Sequence, residues 1–140
     1  MNYRMLASLI LLSLFASAHA AEDTRQRVEL PEMMQHHMMA NMRDHLAAIN
    51  EILSLLGEGK LDEAADVAES RLGMSALEKH GARHMAKFMP EGMQKAGTAM
   101  HHAASRFART AQEGDAAAAY RALTDVTTAC VACHAGYRIR

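Results

Sequence analysis

The chain has 140 residues, half of them hydrophobic, with twelve Met and nine His against no Trp, three Tyr and three Phe. That length fits one domain, and a charged fraction of 22% is too ordinary for a disordered chain. Few β-branched or aromatic runs argue against a sandwich or barrel, and a formal charge of −1 gives no basic field for nucleic acid.

Residues 1–20 read as a secretory signal. Arg4 makes the n-region positive, Leu6 to Ala18 is an apolar h-region, and Ala18-His19-Ala20 is a small-x-small cleavage site. The apolar stretch is shorter than the ~20 residues a spanning helix needs. The expected mature domain is therefore 21–140, exported to the periplasm with no stable membrane anchor, in an oxidising compartment.

Four amphipathic helices follow. From Pro31, apolar residues recur at Met38, Met42, Leu46, Ile49, Leu53 and Leu56, the spacing of one helical face. Pro31 suits a first turn, and Gly57 and Gly59 end the element. A second helix starts near Leu61 with Ala65, Ala68 and Leu72 inward, and Gly73 closes it. In the connection, Ser75-Ala76-Leu77-Glu78 has the form of a capping box, so a short helix is expected there. Pro90 separates it from the third helix, which runs through Met93, Gly97, Met100, Ala104, Phe107 and Ala111 to Gly114. Asp115 caps the fourth, which continues through Ala119, Leu123, Val126 and Cys130. No strands are predicted. Short turns between four such helices predict an all-α protein, an antiparallel four-helix bundle.

Cys130-Val131-Ala132-Cys133-His134 is Cys-x-x-Cys-His, the attachment signature of a c-type haem. Two thiols at this spacing reach the two vinyl groups and form thioethers, while the following imidazole becomes the proximal axial ligand of iron. A dithiol redox pair is expected at a helix N-terminus in a strand-bearing fold, whereas this pair closes the last helix. A disulfide over so short a loop stabilises little, and a zinc site wants a second ligand pair. One covalently attached haem c is the expected cofactor, with the C-terminal end of the last helix as its site.

With this motif near its end, followed by Ala135-Gly136-Tyr137-Arg138, the chain resembles the class II c-type cytochromes, the cytochrome c-prime group. The resemblance is specific over roughly Asp115 to Arg140 and general, in helix count and order, over the rest. It implies a haem wedged near one end of the bundle, with Cys130 and Cys133 as anchors and His134 proximal. Arg138 matches the basic residue near the propionate. It also implies redox partner proteins and a homodimer through the first two helices. The stretch His80-Gly81-Ala82-Arg83-His84-Met85 has no counterpart in that pattern.

In such bundles the sixth iron position faces the first helix, and family members either leave it empty or fill it with Met. Met42-Arg43-Asp44 resembles the Met-Lys-Asp segment of the low-spin relatives, which puts Met42 first; sliding by one turn favours Met39 or Met38. Flexible thioethers also suit irregular gaps in an Ala-rich core. His45, on the same side, is a rival nitrogen ligand, while His36 and His37 are expected in solvent near the helix start. Phe107 and Tyr120 are expected to pack in the core, and Arg106 and Arg121 on solvated faces.

A metal-bearing one-electron carrier is thus the leading expectation. A five-coordinate haem would instead bind nitric oxide or carbon monoxide. A copper-handling reading rests on His80-x-x-x-His84 sharing one helical face beside Met85, with Met100 preceding His101-His102. No Ser-His-Asp pattern, phosphate loop or inward carboxylate pair points to an enzyme; distal acid–base haem chemistry would fall to His45.

Overall fold

The computed structural model describes residues 22–140, so the signal and its cleavage site lie outside the described residues. Among the described residues 74% are helical, in five helices. A short strand β1, Gln26–Arg27, precedes α1, Glu32–Gly57, and α2, Leu61–Arg71. A 3₁₀ turn at Met74–Ala76 and α3, Ala82–Ala86, form the connection to α4, Glu91–Gln112. The long α5, Ala116–Gly136, runs directly into β2, Tyr137–Arg138. Among the described residues no helix is long and apolar enough to cross a membrane.

Helix ends follow local backbone chemistry. Pro31 and Pro90 stand at N-cap positions with extended ψ of 143° and 148°, where a missing N–H costs nothing. Asp115 accepts from the Ala118 N–H at 3.0 Å, and Ala116 to Ala119 propagate α5. Expectation and structure part in the connection. The Ser75 hydroxyl turns to Glu69 instead of closing a box with Glu78, and the Ser75 N–H donates to the same carboxylate at 3.1 Å. An acceptor from the preceding helix satisfies the serine, so the box is not made and the helix begins later, at Ala82.

The main core gathers Ile52 and Leu56 of α1, Leu72 beside α2, Phe107 of α4, and Leu123 and Val126 of α5. Alanines at 64, 65, 68, 104, 111 and 119 let the backbones approach around Phe107. α1 packs on α2, α2 on α4, and α4 on α5. The buried side of α1 is Met38, Ala48, Ile52 and Leu56. This is a correction to the expected face, since Leu46 is 73% and Leu53 46% exposed. The helix is rotated so that small Ala48 and the polar Asp44 meet α2, where Arg71 Nη2 donates to both the carboxylate and the carbonyl of Asp44, at 2.5 and 3.2 Å. Tyr120 is likewise corrected. It is 43% exposed, because the neighbouring Ala119 takes the inward position of α5.

A second, smaller cluster lies apart, built from Val28, Met38, Met85 and Met93 with Met34, Met42, Met89, Cys133 and Ile139 against it. The two strands pair in parallel, Gln26 with Tyr137 and Arg27 with Arg138, and the Val28 N–H extends the ladder to the Arg138 carbonyl at 2.8 Å. Pairs of two residues carry no readable periodicity, which is why neither strand is legible in the sequence.

Candidate functional site

Beside the second cluster is a cavity of about 630 Å³, within the roughly 300–1,000 Å³ of ligand and cofactor sites. α1 contributes Met38, Met39, Met42 and His45 to its wall. The connection adds Leu77, His80, Met85 and Met89, and α4 adds Met93, Met100 and His101. Cys133 and His134 of α5 close it, followed by Tyr137, Arg138 and Ile139.

The residues of the Cys-x-x-Cys-His motif occupy the last turns of α5. Positions three and four apart share a helical face, so Cys130, Cys133 and His134 lie close together on one side. Cys133 and His134 line the cavity, while Cys130 packs against the main core one turn earlier. Both thiols are free and half-buried, and burial pushes both up from the ordinary cysteine value, Cys133 also through its neighbour Cys130. His134 is exposed, its carbonyl accepting from Arg25 Nη1 at 3.4 Å.

Arg138 supplies the most informative polar atom of the site. Its Nε is the buried side-chain polar atom that lacks a hydrogen-bond partner among the described residues, although Asp23 lies 3.4 Å away as an ion pair. Buried donors are nearly always satisfied, and the long contact to Asp23 leaves this Nε able to take a closer anionic acceptor. Two free thiols one turn apart, an adjacent imidazole, a methionine-rich cavity and a guanidinium Nε held only by a long ion pair together fit a haem.

Met38 is buried, and Met39 and Met42 are half-buried. All three line the same cavity, so α1 sends each of the candidate sixth ligands toward it. Of the expected surface groups near the helix start, His36 and His37 are exposed, yet His37 Nε2 lies 3.0 Å from the His80 carbonyl. The Asn41 amide donates to that carbonyl as well, at 3.0 Å.

The His80–His84 face is corrected. His80 ends the turn before α3, Gly81 follows with φ +63°, and the two histidines do not share a helix. His84 is exposed, whereas His80 is only 5% exposed. A left-handed residue between them redirects the chain, and a Cβ at Gly81 would sit 3.1 Å from His37 Nε2. His80 meets His45 and His101 instead, with ring centroids 4.8 and 5.5 Å away. His101, paired with His102 in the copper-handling reading, is buried, and its Nδ1 lies 2.7 Å from the Leu72 carbonyl.

Burial pushes all three imidazoles toward the neutral form. His45 is carried down to about 4, first by desolvation and then by repulsion from His80 and His101. Desolvation is also the leading cause for His80 and for His101. Among the described residues no group of three or more His, Cys, Asp or Glu already stands close enough to hold a metal ion. The sequence pattern singles out His45, His80 and His101 separately but misses their meeting, because three residues on three separate elements leave no common spacing to read.

No protein-family model, curated protein or solved structure matches the chain.

Proposed function

We propose that the protein is an exported monohaem c-type cytochrome of the class II kind, an antiparallel four-helix bundle that passes single electrons between redox partner proteins. The observation that carries this reading is Cys130-x-x-Cys133-His134 with both thiols free and its last two residues on a cofactor-sized cavity. Cys130 and Cys133 are the thioether anchors, His134 the proximal ligand, and Arg138 the partner of a propionate. Met42 is the sixth ligand, with Met39 and Met38 as its alternatives on the same wall.

Bound, the haem supplies one-electron iron chemistry whose potential depends on axial ligand, burial and nearby charge. The chain's residues set those conditions. Met38, Met85 and Met93 keep water from one side of the cavity, and a thioether ligand raises the potential. Arg138 offsets the charge of an anionic edge, with Arg25 adjacent through the His134 carbonyl.

A haem stain on denatured, purified protein tests attachment, and a chain without covalent haem overturns the proposal. Ferric and ferrous absorption spectra, repeated on Met42→Ala, Met39→Ala and Met38→Ala, identify the sixth ligand. Low-spin spectra lost in one variant are expected. A ferrous form that is five-coordinate and binds carbon monoxide rapidly would replace electron carriage with gas binding.

A further inference from the structure

We propose that His45, His80 and His101 form a second metal site, taking one late first-row ion such as zinc or copper beside the cavity. Three imidazoles from α1, the connection and α4 meet in the interior, with ring centroids 4.8, 5.5 and 6.0 Å apart. Such a cluster is unlike ordinary core packing. Burial costs each ring its hydration, and between His45 and His80 the only return is a contact of 3.4 Å, at the weak limit of a hydrogen bond.

That same distance has a second meaning. Two nitrogens bound tetrahedrally to one ion at ~2.0–2.1 Å lie about 3.3 Å apart. His45 Nε2 and His80 Nδ1 therefore already hold the spacing of two ligands. The third ring is prepared differently. His101 Nδ1 donates to the Leu72 carbonyl at 2.7 Å, which fixes the tautomer and leaves a lone pair on Nε2. A ligating histidine commonly has its other ring N–H anchored in this way, since the anchor orients the ring. The proposed site closes when the His45 and His80 rings turn toward the His101 ring, whose centroid lies 6.0 and 5.5 Å from theirs. Their backbones are fixed: His37 and Asn41 both engage the His80 carbonyl from α1, and Leu72 belongs to the main core.

The protonation states agree with this arrangement, because all three imidazoles are held neutral by burial and so keep their lone pairs near neutral pH. Three nitrogen ligands leave a fourth position facing the cavity. Imidazole suits both zinc and copper. The assignment stands on these three residues alone and does not depend on haem.

The purified full-length mature protein, freed of metal by chelator, is titrated with Zn²⁺ and separately with Cu⁺ held by a competing ligand. Bound metal is counted by elemental analysis, with haem iron measured in the same sample. One zinc or one copper per chain is expected in addition to any iron, and the metal bound more tightly identifies the ion. His45→Gln and His80→Gln should each weaken binding on the order of 100-fold, while exposed His84→Gln and His102→Gln leave it unchanged. Helicity by circular dichroism shows that each variant is folded. Absence of uptake in folded protein overturns the site, as does binding that survives both His45→Gln and His80→Gln or is lost in His84→Gln. If a change at His45 or His80 alters the haem spectrum with no zinc or copper bound, that residue is an iron ligand and the second site is refuted. Zinc uptake without iron would instead leave this site standing and remove the cytochrome reading.

Discussion

Acidification should destabilise the protein through its buried histidines, well above the pH at which carboxylates protonate. His45 has an ordinary value of 6.5 that burial lowers to about 4 in the folded chain. Below 6.5 the unfolded chain takes up a proton that the folded chain refuses, so stability rises with pH across this interval and is lost as pH falls. The contribution is fully present above 6.5 and gone below about 4. From pH 7.5 down to pH 5, this one group lowers unfolding free energy by about 2 kcal/mol as an upper figure. His80 and His101 are shifted in the same direction and add to the fall. Urea unfolding at a series of pH values, with chelator present so that no metal holds the imidazoles together, measures the slope. His45→Gln removes this titration and should flatten the curve by roughly the same 2 kcal/mol. A wild-type curve level between pH 7.5 and 5 would refute the argument. So would a His45→Gln curve that falls as steeply as the wild type.

Phe107 is fully buried at the centre of the main core, and Phe107→Ala should cost about 3–5 kcal/mol, read as a lower urea midpoint at unchanged slope. Arg71→Ala removes hydrogen bonds to Asp44 and Glu51 at the α1–α2 contact. The pair is partly exposed, so a loss of about 1–2 kcal/mol is expected, smaller in high salt. Asp115→Ala deletes the bond to the Ala118 N–H and should cost about 1 kcal/mol. Amide exchange should show that loss as faster exchange in the first turn of α5.

The sequence was most legible where a single residue decides the backbone. Pro31, Pro90 and Asp115 mark helix starts that the structure reproduces, and Gly57 ends α1 as expected. Faces were less legible, because hydropathy alone cannot say which side meets a neighbour. Leu46 and Leu53 look inward by pattern, but Ala48 and Ile52 hold the contact that α2 allows. The motif at Cys130 to His134 stands out in the sequence because its residues are adjacent, and the structure places Cys133 and His134 on the cavity wall. The meeting of His45, His80 and His101 could not, because it depends on the turn at Gly81 and on the depth of α4 in the core. Ser75 illustrates the same limit in a cap: the spacing pointed to Glu78, and packing chose Glu69.

The ladder joining Gln26–Arg27 to Tyr137–Arg138 acts as a clasp between two distant stretches of chain. It cannot fasten until Tyr137 and Arg138 have left the ribosome, after α1 to α5 have been made. It is also short, so it can unfasten by itself at far lower cost than melting a helix. Tyr137, Arg138 and Ile139 belong to the cavity wall, and the Gln35 amide holds the Ile139 carbonyl at 2.6 Å. The clasp therefore ties the stretch before α1 to the wall of the cavity at the end of α5.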